Sequence, residues 1–388
     1  MGRRRRAIAA ALALLIAARA APPPASAQQP PAAPVPLPVL VPLTGFVALE
    51  GTSQRNGALL AAKQIGDGTL KADVLDTADN PATAVTAWSR ATGGAALPPA
   101  VIGPILGAQM LALLPLAQER GVPLLTISGT TRLSEMGNPQ FFRFFPSDDI
   151  VKVAQARYVV DTLGARRPAV IYQSTAYGQS GREQLAKAFA ELKTPPVIEE
   201  SVAPTVNDLA PALLRAKAAG ADALVLQLHA ASTVLAIRQA RQLLPDIPIV
   251  AGSAMHQPAT AALLEPAELK NVCAETAASP VSVTTSRPMQ HFLADYRAAY
   301  GGDPDAFAAA QYDAVQMLGV VLKTLTRDGR PATPAAVRDA LATNEYRGVV
   351  TTYRSDGKGN MAHEAEIICF DGTSRVPILA TRYVFPVR

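Results

Sequence analysis

The sequence predicts an α/β protein built from doubly wound, mostly parallel sheets. Short apolar runs alternate with longer stretches of helical spacing, which is the pattern of strands linked by helices. The chain has 388 residues, enough for two domains with separate cores. Its hydrophobic fraction of 49% against a charged fraction of 17% is typical of a globular protein and excludes a disordered one.

The first part of the pattern ends near residue 128. Apolar runs predict strands, and apolar residues at helical spacing predict the helices between them. The predicted strands are 37–41, 70–76, 100–103 and 123–128, and the predicted helices are 53–66, 81–92 and 108–120. Strands separated by helices in this way belong to a parallel sheet with helices on both faces.

The pattern restarts after a boundary near residues 146–149 and predicts a second unit of similar size. Its predicted strands are 166–173, 195–202, 221–228 and 247–253, with helices at 149–163, 179–192, 207–218 and 231–243. The tail differs, with predicted helices at 287–300, 305–325 and 335–342 and β-like runs at 345–353, 365–370 and 376–384. The chain is therefore predicted to form two α/β units and a mixed tail.

The N-terminal residues 1–27 have the pattern of a secretory signal peptide. Four arginines precede a short apolar region, and Ala25-Ser26-Ala27 supplies the small residues of a cleavage site after Ala27. The apolar region is shorter than the roughly 20 residues that span a bilayer. We therefore expect a periplasmic protein without direct membrane insertion, beginning with a Pro-rich leader at 28–38.

The basic charge of the chain belongs to this signal. The formal net charge is +5, from 36 basic and 31 acidic residues, and residues 1–27 hold five arginines and no acid. The remainder has 36 − 5 = 31 basic residues against 31 acidic ones and is neutral. A nucleic-acid partner is therefore not predicted.

The two cysteines, Cys273 and Cys369, leave two alternatives open. Export permits a disulfide between them. Both lie in apolar, strand-like runs, where a free cysteine behaves as a small buried hydrophobe, and this setting favours two buried thiols.

The sequence lacks the common motifs of enzymes. The sequence has no GxSxG elbow, no phosphate-binding Walker loop and no GxGxxG after a strand, so neither catalysis nor a cofactor is predicted. His229 and His256 have no nearby cysteine and no second histidine at helical spacing, so no metal site is predicted. Ligands of doubly wound sheets bind outside the carboxyl ends of the strands, which favours a binding cleft between the two units.

Several segments carry a resemblance to a known family. They are VPLTGFVALEG, RNGALLAAKQI, VIGPILGAQMLALLPLAQERGVPLLTISGTT, NPQFFRFFPSDD, AYGQSGREQLAKAF and FAAAQYDAVQMLGVVL. In this order, over residues 39–384, the chain resembles the Leu/Ile/Val-binding family, the periplasmic solute-binding proteins of ABC importers. The resemblance implies a two-lobed type I periplasmic-binding-protein fold with three crossovers. The N-terminal lobe would hold 39–147 and 275–347, and the C-terminal lobe 148–274 and 348–388.

The resemblance also implies ligand-binding positions. The helix after VIG would offer the backbone N–H groups of Gly107 and Ala108, although the serines usual there are absent. The turn after PLLTIS matches the family well and contributes Ser128, Gly129, Thr130 and Thr131. Tyr177 matches a tyrosine that borders the ligand.

Other candidate positions depart from the family. Phe46 and Glu50 lie in the loop and helix start after the first strand, and Glu50 stands where an aromatic residue is usual. Gln227 and His229 replace a tyrosine region, and Ser253, with His256 nearby, falls where the family has a glutamate for the ligand ammonium. We expect Glu50 to supply the missing negative charge or to face water instead.

These positions lead to a functional hypothesis. The protein is expected to be a non-catalytic monomer that captures a small polar solute, amino acid-like or a carboxylate or amide, and presents it to the membrane permease of an ABC importer. The alternative is a ligand-sensing receptor of the same fold that feeds a signalling partner instead of a permease.

Overall fold

A computed structural model describes residues 34–66, 69–280 and 286–386. The predicted signal peptide at 1–27, its cleavage site and most of the predicted leader lie outside the described residues. No helix in the described ranges has the length and apolar character needed to cross a bilayer.

The first sheet has five parallel strands in the order β2-β1-β3-β4-β5. The strands are β1 (Val35–Val41), β2 (Leu70–Asp76), β3 (Val101–Ile102), β4 (Leu124–Thr126) and β5 (Phe141–Arg143). Because the strands are parallel, their carboxyl ends all lie at one edge of the sheet.

The second sheet has seven strands in the order β14-β13-β10-β9-β8-β6-β7. They are β6 (Pro168–Gln173), β7 (Ile198–Val202), β8 (Ala223–Gln227), β9 (Ile249–Ala251), β10 (Val272–Thr276), β13 (Glu364–Cys369) and β14 (Ile378–Val384). The strands β6 to β10 are parallel to one another, and β13 and β14 add antiparallel pairs at one side. A separate hairpin pairs β11 (Tyr346–Arg347) with β12 (Thr352–Tyr353).

Twelve α-helices connect these strands within the described ranges. They are α1 (Ala48–Ile65), α2 (Pro81–Thr92), α3 (Gly107–Arg120), α4 (Arg132–Glu135), α5 (Asp148–Arg157), α6 (Ala176–Glu191), α7 (Ala210–Ala218), α8 (Ala230–Leu243), α9 (Pro258–Ala261), α10 (Arg287–Tyr300), α11 (Ala306–Arg327) and α12 (Pro334–Thr343). Short 3-10 turns occupy Ser253–His256 and Pro266–Leu269, and α5 continues into a π-helical turn at Tyr158–Thr162.

The predicted fold class is confirmed, and most predicted elements have a counterpart in the structure. The prediction of one helix over 149–163 was incomplete, because its last turn is π-helical. The β-like run at 345–353 is two short strands of a hairpin. The three-residue strand β5 was not predicted, because it is too short to show a hydrophobic period.

The helices α1 and α11 pack closely against each other on the first sheet. A glycine in α1, Gly57, permits this approach, because a Cβ atom there would lie 2.1 Å from the carbonyl oxygen of Ala308 in α11. Phe307 and Met317 of α11 belong to the same hydrophobic core as Val39 of β1. Residues from the tail of the chain thus complete the core begun by the first strands.

Residues 353–362 bear on where the first unit ends. Tyr353, Met361 and Ala362 are buried in the hydrophobic core of the first sheet. The carbonyl of Arg143 also accepts a hydrogen bond from the N–H of Met361, at 2.9 Å. We therefore propose that the last change of lobe follows Ala362 rather than residue 347.

The structure joins Cys273 and Cys369 in a disulfide, whereas their apolar settings favoured two buried thiols. The two residues lie directly opposite each other on the antiparallel strands β10 and β13. The sequence separates them by 96 residues, so their pairing arises from strand register and not from local sequence.

Candidate functional site

A small cavity lies between the carboxyl ends of the two sheets. The first sheet contributes residues after β1, β3, β4 and β5, and the second contributes residues after β6, β8 and β9. The lining residues are Glu50, Ile105, Ile127, Gly129, Phe145, Pro146, Asp148, Val151, Tyr177, His229, Ser253, Ala254 and Phe307. This is the position in which doubly wound sheets bind ligands.

One part of the cavity wall is apolar. Ile105, Ile127, Phe145, Val151 and Phe307 all contribute side chains to it. Phe145 and Phe307 pack against each other with ring centroids 5.2 Å apart, which holds both rings in place. The transfer of a compact hydrocarbon body from water to this surface would be favourable.

The side chain of Glu50 links the first unit to the second. It belongs to α1, yet its Oε1 accepts a hydrogen bond of 3.2 Å from the N–H of Ala230, the first residue of α8. The N-terminus of a helix favours negative charge, so this position suits an acidic side chain that is only 1% exposed. Its second oxygen, Oε2, is buried and has no hydrogen-bond partner in the described structure.

His229 faces Glu50 from the second unit. Its Nδ1 lies 3.7 Å from Glu50 Oε1. The imidazole sits between two aromatic rings, with centroids 5.3 Å from Phe46 and 5.0 Å from Tyr177. Its Nε2 is buried without a partner among the described atoms, so one ring nitrogen remains available to a bound molecule.

Asp148 is the second acid of the cavity and was not predicted from the sequence. It begins α5 and is 1% exposed. Burial raises the pKa of its carboxyl to about 6, against the opposing effects of Lys152 and of a hydrogen bond with Ser180. Its Oδ2 has no hydrogen-bond partner in the described structure.

A buried ion pair lies behind this wall. Lys152 Nζ and Glu275 Oε1 are 2.5 Å apart, and both side chains are 0% exposed. Burial is the largest single influence and would lower the pKa of Lys152, but the charges of Glu275, Tyr177 and Asp148 and the hydrogen bond to Glu275 together outweigh it and raise that pKa. Ser253 connects the pair to the cavity, because its hydroxyl donates to Glu275 Oε1 at 3.1 Å and lies 3.5 Å from the hydroxyl of Tyr177.

Direct contacts hold the two sides of the cavity together. Gln257 Nε2, from the second unit, donates to Asp305 Oδ2 at 2.7 Å and to Ser53 Oγ at 3.2 Å. His256 Nε2 accepts a hydrogen bond of 2.9 Å from the N–H of Ala306, which assigns the proton to Nδ1. Burial lowers the pKa of His256, in agreement with a neutral ring. The structure is therefore a closed form.

The structure brings some of the predicted site residues to the cavity and leaves others beside it. Glu50, Gly129, Tyr177, His229 and Ser253 line it. The others do not line it: Phe46, Gly107, Ala108, Ser128, Thr130, Thr131, Gln227 and His256. Their roles in binding stay predictions.

The residues outside the lining support it in different ways. Gln227 Nε2 donates to the carbonyl of Tyr177 at 3.1 Å, and the N–H of Thr131 donates to Ser180 Oγ at 3.0 Å across the two units. Gly107 packs against Thr130, since a Cβ there would lie 2.2 Å from Thr130 Oγ1. Ala108 is exposed.

The turn at 128–130 is held from behind by Arg143. This side chain is 0% exposed, and its NH1 donates to the carbonyls of Ser128, Gly129 and Thr130 at 3.2, 3.0 and 2.8 Å. The other guanidinium nitrogens bind Asn360 and Ser134. Arg143 is thus committed to protein groups and supports the turn instead of facing a ligand.

Metal chemistry finds no support in the described ranges, where no group of three or more His, Cys, Asp or Glu side chains is placed to hold an ion.

A family model described as periplasmic binding protein matches residues 34–369. A Leu/Ile/Val-binding protein of Rhizobium johnstonii is 24% identical over 327 residues, covering 82% of this chain and 87% of that protein. A Leu-, Ile-, Val-, Thr- and Ala-binding protein of Pseudomonas aeruginosa is 23% identical over 341 residues, covering 82% and 85%.

Solved structures show the same fold. A leucine-binding protein from Thermotoga maritima superposes with a TM-score of 0.80 at 23% identity, covering 91% of this chain and 99% of that one. An ABC-transporter solute-binding protein from R. palustris, in complex with benzoate, gives a TM-score of 0.82 at 17% identity, covering 90% and 96%. Both the fold and the resemblance to the Leu/Ile/Val-binding family are thereby confirmed.

Proposed function

The chain belongs to the periplasmic binding protein family, and we propose that it serves as the solute-binding component of an ABC-type importer. Its fold is the two-lobed type I fold of this family, and the family implies a periplasmic location. The relatives described above are amino acid-binding proteins, which supports binding and not catalysis as the role of this chain. In our proposal the protein is a non-catalytic monomer that captures a small polar solute between its lobes and presents it to a membrane permease.

The observation that carries this proposal is the set of buried polar atoms in the cavity that have no hydrogen-bond partner among the described residues. Glu50 Oε2 comes from the first lobe, and His229 Nε2 comes from the second. An unpaired buried polar atom costs about 1–3 kcal/mol, so such atoms are expected to meet a ligand or water. A solute that satisfies both sides at once has its full set of contacts only when the lobes are closed.

Binding would then act by population shift. A ligand that contacts both lobes stabilises the closed state by its differential affinity for the closed and open forms. The contacts of Gln257 with Ser53 and Asp305 already join the lobes and would add to this stabilisation. The permease would recognise the closed, ligand-bound form. The sensing alternative is not favoured by the relatives.

A thermal-shift screen of the purified mature protein against small amines, amides, amino acids and carboxylates tests solute binding. At a concentration of 100 times Kd a ligand stabilises the folded state by about 2.7 kcal/mol. An Ala254→Phe variant, whose larger side chain would fill the cavity, should abolish the ligand-induced rise in melting temperature. The control Ala218→Phe, on the exposed end of α7, should retain that rise. Equal shifts in both variants would contradict binding in this cavity.

The importer role needs a separate experiment. A strain without this gene should lose uptake of the radiolabelled solute found in the screen, and the native gene, but not Ala254→Phe, should restore it. Undiminished uptake in the deletion strain would refute the importer role and leave solute binding intact.

A further inference from the structure

We propose that Glu50 and Asp148 form a recognition point for a nitrogen donor, so that the cavity requires an amine or amide group on a compact apolar body and does not require a carboxylate. This inference rests on the proposed solute-binding function and narrows it. It concerns residues that stand outside the position where a ligand-ammonium glutamate is expected, because Ser253 and Ala254 occupy that position here.

Two of the unpartnered polar atoms of residues that line the cavity are carboxylate oxygens. Glu50 and Asp148 are each 1% exposed, both line the cavity, and each has one carboxylate oxygen without a partner in the described structure. An ionised carboxylate only accepts hydrogen bonds, so the bound group must donate them. An ammonium offers three N–H donors and a primary amide offers two.

The charges around these two acids also favour a ligand group that donates hydrogen bonds. In the described ranges neither Glu50 nor Asp148 forms an ion pair with a lysine or arginine side chain. The ionisable side chain that faces Glu50 is His229, whose Nδ1 lies 3.7 Å from Glu50 Oε1. Lys152 and Arg143 both lower the pKa of Asp148 through their charges, but Lys152 is paired with Glu275 and the guanidinium of Arg143 donates to the carbonyls of the 128–130 turn. A cationic head would balance the two acids, and an isolated carboxylate placed between them would be repelled.

The remaining walls define the rest of the solute. Ile127, Phe145 and Phe307 offer an apolar surface to a short hydrocarbon chain. His229 Nε2 has no hydrogen-bond partner in the described structure, and in the tautomer that is protonated at Nε2 it can donate to a carbonyl oxygen of the ligand. An amide would satisfy both kinds of group, since its nitrogen donates and its oxygen accepts.

The test uses four compounds that share one branched hydrocarbon body: 3-methylbutan-1-amine, 3-methylbutanamide, 3-methylbutanoate and leucine. Their dissociation constants for the purified mature protein are measured by titration calorimetry at pH 7.5. We expect the amine and the amide to bind at least ten times more tightly than 3-methylbutanoate. Equal or tighter binding of the nitrogen-free carboxylate overturns the inference, and so does binding of leucine alone.

Variants locate the effect at the acids. Glu50→Gln should weaken binding of the amine by roughly 10- to 100-fold, the range for a lost charge-assisted hydrogen bond, while its amide oxygen can still accept from Ala230. Glu119→Gln, on an exposed part of α3, is the matched control and should leave the affinity unchanged. If Glu50→Gln does not fold, as judged by circular dichroism, Asp148→Asn replaces it with the same expectation.

The outcomes also separate this inference from the function on which it rests. Unchanged amine affinity in the folded acid variant overturns the role of these residues. Failure of all four compounds to bind overturns the inference, and the proposed function is then judged by the wider solute screen. Tight binding of a nitrogen-free acid overturns the inference and supports solute binding in general.

Discussion

Replacing Lys152 by methionine removes one partner of a buried ion pair and keeps a side chain of similar volume. The Lys152 Nζ lies 2.5 Å from Glu275 Oε1, and both side chains are 0% exposed. In the variant, that oxygen of Glu275 would keep the hydrogen bond from the hydroxyl of Ser253, at 3.1 Å. Leaving one charge of a buried pair uncompensated costs about 3–5 kcal/mol of unfolding free energy.

This cost converts to a measurable shift. The entropy of unfolding is about 2.1 cal/mol/K per residue, which for roughly 350 folded residues gives about 0.7 kcal/mol/K. The unfolding midpoint of Lys152→Met should therefore fall by about 4–7 °C in differential scanning calorimetry at pH 7.5. Lys187→Met on the exposed face of α6 is the control, with an expected shift below about 1 °C.

A double variant separates loss of charge pairing from loss of packing. Lys152→Met combined with Glu275→Gln removes both charges, so it should recover much of the loss seen in Lys152→Met. If the single variant melts within 1 °C of the native protein, the pair is not an energetic unit and this reasoning is refuted.

Three further predictions concern the disulfide and two buried acids. Replacing both Cys273 and Cys369 by alanine should lower the unfolding free energy by about 4–5 kcal/mol, the loop-entropy value for a closed loop of this length, measured by urea denaturation; no change would speak against the bond. Burial raises the pKa of Asp313 to about 7, above its value in the unfolded chain, so the native state holds this proton more tightly and stability falls as pH rises from about 4 to about 7. Between pH 5 and pH 7 this loss is about 2–3 kcal/mol, and melting curves of Asp313→Asn should lack that part of the slope, whereas an unchanged slope would assign it to other groups. Because the Asp148 carboxyl has a pKa of about 6 beside Lys152, Glu275 and Arg143, affinity for a cationic amine should fall below about pH 6, and calorimetric titration at pH 5 and 7.5 in native protein and Asp148→Asn checks it.

The regular elements of this fold were predictable because their hydrophobic pattern is local. The strand β8 is buried along its whole length, and its first four residues form an apolar run in the sequence. The strand β5, Phe141–Arg143, was not predictable in this way. Its Arg143 is fully buried because carbonyls of the 128–130 turn and Asn360, 217 residues away along the chain, converge on it. Such convergence is a tertiary event and leaves no periodic signal.

In the site, too, local features were predictable from the sequence and tertiary contacts were not. That Glu50 follows the first strand is visible in the sequence and placed it among the candidates. Its hydrogen bond with the start of α8 joins residues 180 positions apart and follows only from the closed arrangement. Asp148 has the appearance of an ordinary acid in the first turn of a helix. Only its burial and its place on the cavity wall distinguish it from its exposed neighbour Asp149.

The bond between Cys273 and Cys369 has a consequence for the integrity of the chain. All of α10, α11 and α12 lies between the two cysteines, so one covalent ring encloses the helices that complete the other lobe. A protease that cuts once anywhere inside this ring would open it without releasing a fragment. The two pieces would migrate together on a gel until a reductant is added, and the severed protein would keep both halves within reach of each other.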